Sequence, residues 1–314
     1  MRVLREGLAN VGLEVIATSP ARHDWAADMM FKAAMAAADL IVINGEGTLH
    51  HGRPAGEALV RVVDDLTATG RPVALVNALY QDNPVRWGRH LRQMALLVGR
   101  DQRSAEALAD IAPDVPVRVM PDLSLCEGAV AVRGVRDQVI FGDSVKLTQR
   151  RALLRAAAVC KADMVLPMKT RSGLLWRFGP TRSMLYRGYC AEFGAAARKT
   201  VLAKNEAHYL DLIARARLHV TGRFHSVCLS LVTGTPFLAL GSNSWKIEAL
   251  LAEAGVDPDR LVTPAALAAL GPADMERPFT LAETTNIAAF LTKAQSDGER
   301  LFRDLALLAR GRTN

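Results

Sequence analysis

The stretch between Leu218 and Lys246 limits what this chain can fold into more than any other part of the sequence. The short apolar segment 218–220 is followed by a polar turn and by the apolar, helix-compatible run 226–232. Gly234-Thr-Pro236 ends that helix, and Phe237–Leu240 forms a second buried strand before another polar turn and helix. This alternation predicts neighbouring parallel strands in an α/β sheet.

Polar residues follow both of these strands at the point where each strand ends. Arg223 and His225 follow the first strand, and Gly222 is placed to take a positive φ in the turn. Gly241-Ser-Asn-Ser244 follows the second strand and offers N-cap side chains to a helix that begins near Trp245. Open α/β sheets bind ligands at the carboxyl ends of their strands. The sequence therefore predicts a ligand site at this edge.

The remainder of the chain repeats the alternation of strands and helices. Further strands are predicted at 39–44, 72–77, 95–99, 117–120, 138–142, 163–167, 200–203 and 261–262. We expect the fold class to be α/β, with two Rossmann-like domains facing a cleft, which is the architecture of the GT-B type. The predicted domain limits are 1–125 and 136–280, followed by a C-terminal helical segment at 281–314.

The start of the first domain is unusual. A helix is predicted at 1–10, a strand at 13–17 and a second helix at 25–38, whereas a βαβ domain normally opens with a strand and a glycine-rich turn. Two interpretations follow: either the fold begins late and lacks its first strand, or the true start of the protein lies upstream of Met1.

The composition narrows the class of ligand. The chain has 314 residues, a formal net charge of +7, and only 5% aromatic residues. Nucleic-acid binders usually gather their basic residues on one stripe and place aromatic residues among them, whereas here Lys and Arg are scattered. The positive charge therefore indicates small anionic ligands rather than nucleic acid.

The sequence also bears on the cellular compartment. The sequence contains no run of about twenty apolar residues, so no helix is expected to span a membrane. The N-terminus lacks the basic and then apolar pattern of a signal peptide. The 4 cysteines are far apart and form no Cys-x-x-Cys pair, so neither a zinc site nor a disulfide framework is indicated. We expect a cytoplasmic protein. Peripheral membrane contact and the oligomeric state stay open.

Two groups of residues at the predicted edge suit an anionic ligand. Arg223 can clamp a carboxylate or phosphate through two hydrogen bonds, and His225 can donate to an anion or move a proton near neutral pH. The second group joins hydroxyls, an amide and a cation at a helix N-terminus: Ser242, Asn243, Ser244 and Lys246. The ordinary alternatives are a surface arginine with a capping histidine, and plain N-capping beside an exposed lysine.

A third group lies in the loop that follows the strand at 39–44. Its members are Gly45, Glu46, Gly47, Thr48 and His50. The two glycines allow a ligand to approach the backbone, and Glu46 with His50 can supply an acid and a base. A tight βα turn is the ordinary alternative. We predict no metal site at His50 and His51, because adjacent histidines rarely hold a metal without further ligands.

Other strand-end loops add cations to the same rim. They contribute Lys146, within Asp143-Ser-Val-Lys146, together with Lys169 and Arg171. Each loop taken alone is most often a solvated loop. Together they suit a substrate that carries more than one negative charge.

At this point the sequence resembles the polysaccharide pyruvyl transferases. The resemblance spans roughly 38–262 and rests on segments 39–50, 71–77 and 121–124 and, above all, on Gly222-Arg-Phe-His-Ser226 through Gly234-Thr-Pro236 to Lys246. The last segment is fairly specific in combination. The Asn-x-Gly-Asp segment with which the family often begins is not found here.

The resemblance implies a GT-B-like fold and an enzyme that transfers a pyruvyl group from phosphoenolpyruvate to a sugar, leaving a cyclic ketal. The sugar would belong to a cell-surface polysaccharide, such as an exopolysaccharide, or to its precursor. Residues 1–125 would form the acceptor side and 136–280 the donor side. Arg223, Phe224 and His225 match the positions that contact phosphoenolpyruvate in this family. Phosphoenolpyruvate is then a substrate, and no cofactor or metal is required.

Phosphoenolpyruvate carries a carboxylate and a phosphate, so its site needs at least two cationic or N–H clamps. We expect Arg223 and Lys246 to contact these anions and His225 to act as a phosphate ligand or as the general acid. Glu46 or His50 would be the base for the sugar hydroxyl.

Two alternatives stay open. A GT-B glycosyltransferase that uses a nucleotide-sugar explains the fold equally well and needs a carboxylate for the ribose, for which Glu248 is a poorly matched candidate. A non-catalytic protein that binds an acidic polymer is the third interpretation. The absent N-terminal segment favours it, whereas the clustering of polar residues at strand ends argues against it.

Overall fold

The structure is a computed structural model and describes residues 1–21, 23–66, 70–130, 134–168, 181, 184 and 199–311. The chain divides into two compact units: unit 1 is Met1–Gly128 with Leu291–Asn314, and unit 2 is Ala129–Phe290. Along the chain the boundary falls between Gly128 and Ala129. The predicted C-terminal segment 281–314 is not a separate part, because the single helix Leu281–Ala309 contributes residues to both units.

Unit 1 is built on a four-stranded parallel sheet in the order β1-β2-β3-β4. The strands are β1 (Ile41–Glu46), β2 (Val73–Ala78), β3 (Leu96–Gly99) and β4 (Val117–Val119). The helices are α1 (Arg2–Asn10), α2 (Met29–Ala37), α3 (Pro54–Val60), α4 (Val62–Leu66), α5 (Gly88–Leu91) and α6 (Gln102–Ile111). Single-turn 3₁₀ helices lie at Val85–Trp87 and Leu123–Leu125.

Strand β2 shows why this sheet is covered on both faces. Val73 and Leu75 belong to a buried cluster that also includes residues of α3, α4 and α6. Ala74 and Val76 belong to a second cluster, which includes residues of α1 and of the C-terminal helix. Successive side chains of a strand point to opposite faces, so a strand buried on both faces is apolar throughout. The predicted parallel α/β sheet of unit 1 is confirmed.

Two local predictions for unit 1 are wrong. Residues 13–17 form no strand; Val15 and Ile16 are 39% and 55% exposed, so no sheet neighbour covers them. The helix predicted from Trp25 begins instead at Met29, because the Asp28 side chain accepts a hydrogen bond from the Phe31 N–H and caps the helix there.

Unit 2 contains a five-stranded parallel sheet in the order β6-β5-β7-β8-β9. The strands are β5 (Gln138–Ser144), β6 (Met164–Val165), β7 (Ala216–Gly222), β8 (Phe237–Leu240) and β9 (Leu261–Val262). The described helices are α7 (Leu147–Val159), α8 (Glu206–Ala214), α9 (Phe224–Val232), α10 (Lys246–Glu253), α11 (Pro264–Ala269) and α12 (Leu281–Ala309). Single-turn 3₁₀ helices lie at Pro258–Arg260 and Pro272–Met275.

The order of these strands reverses direction at β5. Strand β6 lies on one side of β5, and β7, β8 and β9 lie on the other. The predicted strand at 200–203 is reduced to a single bridge between Thr200 and Val165. The strand-end loop that holds Lys169 and Arg171 lies outside the described residues. Two parallel α/β units are therefore present, as the sequence predicted.

An ion pair between Arg260 and Glu283 ties the start of α12 to the residue just before β9. The two residues are 6% and 4% exposed. Arg260 Nε donates to Glu283 Oε1 at 2.5 Å and Nη2 donates to Oε2 at 2.9 Å, while the remaining N–H groups donate to the carbonyls of Phe237, Arg277 and Pro278. All the N–H groups of this guanidinium are thus hydrogen-bonded within unit 2.

The surroundings of Glu283 set its protonation. Burial acts to raise the pKa of Glu283, but hydrogen bonds from Arg260 and from the backbone N–H of Thr280, with the charge of Arg260, hold the pKa at about 2. Glu283 therefore stays ionised in the folded protein at any moderately acidic pH.

The described residues lack two kinds of feature. No helix in that part of the chain combines the length and the apolar character needed to cross a bilayer. No group of three or more His, Cys, Asp or Glu side chains among the same residues is arranged to hold a metal ion.

We expect Glu283→Gln to lower the free energy of unfolding by roughly 3–5 kcal/mol at neutral pH, because Arg260 would lose its buried counter-charge. The folded-state pKa of Glu283 is below its ordinary value of 4.5, so the carboxylate stabilises the fold fully above that value. This contribution is lost as pH falls from there toward about 2. Denaturant unfolding of both proteins across this range should show a gap that narrows with acid.

Asp297→Asn is the matched control for this prediction. It removes an ion pair with Lys293 on the same helix, where the lysine side chain is 65% exposed. Such a pair contributes at most about 1 kcal/mol. Equal losses in the two variants, or a gap that does not change with pH, would contradict the assignment.

Candidate functional site

The candidate site lies where the strand order of unit 2 reverses. The carboxyl ends of β5 and β7 are adjacent, with Ser144 paired to Gly222 in the parallel ladder. Ligands of open α/β sheets bind outside the carboxyl ends of the strands at such a reversal. The chain places Asp143 and Arg223 at this point.

Arg223 and Asp143 form a nearly buried ion pair. Arg223 Nε and Nη2 both donate to Asp143 Oδ2, at 3.0 and 2.5 Å, and the side chains are 16% and 0% exposed. The second oxygen of Asp143 accepts a hydrogen bond from the backbone N–H of Met168 at 3.0 Å. Within the described part of the chain, Nη1 of Arg223 makes no hydrogen bond. The predicted arginine is therefore held along one edge of its guanidinium.

Glycines allow the strand ends to come this close. A Cβ on Gly222 would lie 2.7 Å from the Ser144 Cβ, and one on Gly142 would lie 2.7 Å from the Thr221 Oγ1. The expected positive φ at Gly222 is wrong, since this residue is absent from the positive-φ glycines, which include Gly234 in the next turn. Gly222 is required for close approach rather than for its φ angle.

Buried polar side chains lie beneath the ion pair. Burial raises the pKa of Tyr209, to which the negative charge of Asp143 also contributes, and its hydroxyl is hydrogen-bonded to Ser226 Oγ at 2.8 Å. His219 is also buried, which lowers its pKa to about 3. Ser230 donates to the Ser226 carbonyl, so His219 Nδ1–H donates to Ser230 Oγ at 2.9 Å and the ring is neutral.

His225 lies in the first turn of α9 and is half-buried. Its ring packs edge-on against Phe224, with ring centroids 5.5 Å apart. Phe224 is only 8% exposed, so its side chain belongs to the core. Arg223 occupies the N-cap position of this helix and its side chain makes no capping hydrogen bond there. The structure therefore brings Arg223 and His225 to one helix N-terminus, as predicted.

The loop between β8 and α10 is arranged differently from the prediction. The N-cap residue of α10 is Trp245, and no side chain caps the helix. Asn243 Oδ1 instead accepts hydrogen bonds from Ser242 Oγ at 3.1 Å and Lys246 Nζ at 3.2 Å. Ser244 Oγ is buried without a hydrogen-bond partner among the described residues. The serines thus do not cap, and Lys246 is oriented by Asn243.

A hydrogen-bond chain links this loop to the end of β5. Ser144 Oγ donates to Gln149 Oε1 at 2.7 Å, and Gln149 Nε2 donates to the Gly241 carbonyl at 2.9 Å. The backbone N–H of Lys146, an exposed residue, donates to Ser144 Oγ at 3.2 Å. The predicted rim residues Lys169 and Arg171 lie outside the described residues.

The third predicted group belongs to the carboxyl end of β1 in unit 1. Gly45 packs against Ala78 of β2, where a Cβ would lie 2.9 Å from the Ala78 Cβ, so this glycine serves the sheet. Glu46 has φ 35°, an uncommon conformation for a residue with a side chain. Gly47 has open space where a Cβ would stand. Thr48 is half-buried in the following turn.

The two histidines of this loop differ in exposure. His50 is 1% exposed, which makes it a poor base for a ligand. The His51 side chain is 45% exposed, and its Nδ1 lies 3.3 Å from Asp82 Oδ2. The sequence interpretation therefore missed His51 with Asp82, whose loop 79–83 is hydrogen-bonded to 46–52.

A partial family match falls on this site. Residues 182–244 match the sequence model of the polysaccharide pyruvyl transferase family. The resemblance inferred from the sequence is thus confirmed over this segment, which contains Gly222, Arg223 and His225. A search of curated proteins gave no match.

The first of two similar solved structures supports the architecture. An α,α-trehalose 6-phosphate synthase from Burkholderia multivorans aligns with a TM-score of 0.53 and 13% identity over 98% of this chain and 81% of that one. A UDP-forming α,α-trehalose-phosphate synthase from Burkholderia vietnamiensis aligns with a TM-score of 0.49 and 11% identity over 98% and 80% of the two chains. At this identity the likeness concerns the fold, which is of the GT-B glycosyltransferase type as predicted.

We expect Gly222→Ala to lower the free energy of unfolding by roughly 1–3 kcal/mol, because the new methyl group would overlap the Ser144 side chain. Ser144→Gly removes the atom that it meets. In a double-mutant cycle followed by denaturant unfolding, the cost of Gly222→Ala should therefore be smaller in the Ser144→Gly background. Strict additivity would show that the two strand ends are not in contact there.

Proposed function

We propose that this protein transfers a pyruvyl group from phosphoenolpyruvate to a sugar of a cell-surface polysaccharide, or of its precursor, and forms a cyclic ketal. The observation that carries the proposal is the position of Arg223 and His225. They lie together at the carboxyl edge of the unit 2 sheet, within the segment that matches the pyruvyl transferase family.

The charges of the site suit a ligand with two anionic groups. Asp143 neutralises one positive charge at the carboxyl edge of the sheet. Arg223 nevertheless has further N–H groups besides the two on Nε and Nη2 that donate to Asp143. Lys246 adds a second cation, oriented by Asn243 at the start of α10. We assign the carboxylate and the phosphate of phosphoenolpyruvate to Arg223 and Lys246, with the N-terminal turn of α9 as an additional source of N–H donors.

The proposed chemistry follows from the donor. A proton is added to the methylene carbon of phosphoenolpyruvate, and the adjacent carbon becomes oxocarbenium-like. One sugar hydroxyl forms a bond to that carbon and loses its proton. A second hydroxyl then forms the other C–O bond and loses its proton as the C–O bond to phosphate breaks, and the phosphate takes up a proton and leaves as inorganic phosphate. The products are the ketal and phosphate, and no redox partner or cofactor is needed.

We assign the general acid, or a phosphate ligand, to His225, because it lies two residues from Arg223 in the first turn of α9. For the base that accepts the hydroxyl proton we retain the loop that follows β1. Exposure favours Glu46 or His51 over His50 there, since His50 is 1% exposed.

A glycosyltransferase that uses a nucleotide-sugar is the second candidate. The trehalose 6-phosphate synthase fold supports it. Glu248 supports it as well: this residue lies in the first turn of α10 beside Gly241, and its buried Oε2 makes no hydrogen bond within the described residues. A carboxylate of this kind can accept hydrogen bonds from ribose hydroxyls.

We expect phosphoenolpyruvate to stabilise the wild-type protein against thermal unfolding. At a concentration about a hundred times the dissociation constant, the added stability should be about 2.7 kcal/mol. Arg223→Ala should abolish this shift because it removes the anion clamp. Arg215→Ala is the control, since its side chain is 52% exposed and pairs with Asp211 on the adjoining helix α8; it should keep the full shift.

A nucleoside diphosphate separates the two candidate functions in the same assay. Stabilisation by that ligand, with none by phosphoenolpyruvate, would reject the pyruvyl donor in favour of a nucleotide-sugar. An undiminished shift in Arg223→Ala would remove Arg223 from the site altogether.

We expect His225→Ala to slow pyruvyl transfer about 10²–10⁴-fold, the usual loss when a general acid is removed. Phosphate release from phosphoenolpyruvate in the presence of saccharide acceptors measures this rate. His23→Ala is the control, because the His23 ring lies in unit 1, where it is hydrogen-bonded to Ser19 and Asp28. Equal rates in wild type and His225→Ala would exclude His225 as the acid.

A further inference from the structure

We propose that Asp143 is a positioning residue, which holds Arg223 so that one end of its guanidinium is presented to an anionic ligand. This inference rests on the proposed function for the identity of the ligand. The geometry of the inference is independent of the proposed function and lies entirely within unit 2.

The contact leaves a defined part of the arginine available. Asp143 Oδ2 accepts from Nε and Nη2, which together form the side edge of the guanidinium. A guanidinium has five N–H groups, so three are left, two on Nη1 and one on Nη2. One N–H of Nη1 and the remaining N–H of Nη2 form the end of the fork, which is the edge that binds a carboxylate or phosphate through two hydrogen bonds.

Asp143 is itself fixed in place, so it can restrict the arginine side chain to one conformation. Its side chain is 0% exposed and its Oδ1 accepts the Met168 N–H. The neighbouring Ser144 is paired with Gly222 in the ladder, one residue before Arg223. Both ends of the ion pair are therefore tied to adjacent strand ends, and the long arginine side chain loses its rotamer freedom before any ligand binds.

Arg260, which is buried, and Arg136, which is half-buried, show what a purely structural arginine looks like in this chain. Arg260 donates to Glu283 and to three backbone carbonyls, and no N–H group is left over. Arg136 donates to the carbonyls of Ala214 and Thr233 and to Thr235 Oγ1. Arg223 differs from both, because its hydrogen bonds go to one carboxylate oxygen and its open end lies at the strand edge.

Positioning and simple charge neutralisation predict opposite results for Asp143→Asn. This variant keeps the shape and an acceptor for the Met168 N–H but removes a negative charge. If Asp143 only lowered the charge of the site, the variant would bind anions more tightly. If Asp143 positions Arg223, the variant should bind them more weakly, by about 2–10-fold for the loss of one ordered side chain.

Calorimetric titration tests the proposal. The proteins are wild type, Asp143→Asn, Arg223→Ala and the double variant. Each is titrated with phosphoenolpyruvate, with inorganic phosphate and with a nucleoside diphosphate. We expect weaker binding in Asp143→Asn and no further effect of that change in the Arg223→Ala background. Unchanged or tighter binding by Asp143→Asn would overturn the positioning role while leaving the pyruvyl donor in place. A wild type that binds only the nucleoside diphosphate would reject the proposed function, and the same cycle on that ligand would still test Asp143. Binding of none of the three would overturn both.

Chemical rescue gives a readout that a merely structural role would not move, and it does not depend on how well Asp143→Asn folds. Millimolar guanidinium should restore part of the anion binding of Arg223→Ala, because Asp143 would hold the free cation where the side chain lay. Arg223→Lys, which keeps the charge but lacks the fork, should not bind like wild type. No rescue, together with full binding by Arg223→Lys, would contradict the proposal.

Discussion

The close approach of β5 and β7 is the constraint on which the candidate site depends. A Cβ at Gly222 would overlap Ser144, and one at Gly142 would overlap Thr221. Only because both positions lack a side chain can the two strand ends pair in register. The pairing then sets Asp143 beside Arg223, although 80 residues separate them along the chain. The packing of the sheet thus also determines where these two charged residues lie.

The burial of Asp143 explains why it is paired with a cation. A carboxylate that is 0% exposed needs a partner, since an isolated buried charge is costly. Arg223 supplies that partner while remaining 16% exposed. The pair therefore contributes to the fold on its buried side, and its open side is the part that we propose binds the ligand. Arg260 with Glu283 lacks the open side, and it accordingly belongs to the framework.

The sequence predicted the elements well because apolar segments and turn residues are local signals. Phe237–Leu240 and Leu261–Val262 lie where the sequence placed them. What it could not supply was spatial order: nothing in the periodicity says that β5 lies between β6 and β7. The pairing of Asp143 with Arg223 depends on that order. The loop 241–244 also differs from the prediction, because none of its side chains caps α10. Asn243 accepts a hydrogen bond from Lys246 instead.

Exposure was equally hidden from the sequence. His50 and His51 are adjacent and chemically identical, yet one is buried and the other is solvent-accessible beside Asp82. Only the path of the loop decides between them, and its left-handed residues at Glu46 and His51 fix that path.

The two kinds of similarity bear on different levels of the argument. The likeness to a trehalose 6-phosphate synthase extends over 98% of the chain, but at 13% identity it concerns the arrangement of strands and helices. The family match covers only 182–244, yet this segment carries the arginine and the histidine. A fold shared by many transferases does not choose a donor. Under the proposed function, the donor is chosen by which anion fits the open end of Arg223 and the ammonium of Lys246, so the donor must be argued from those few atoms.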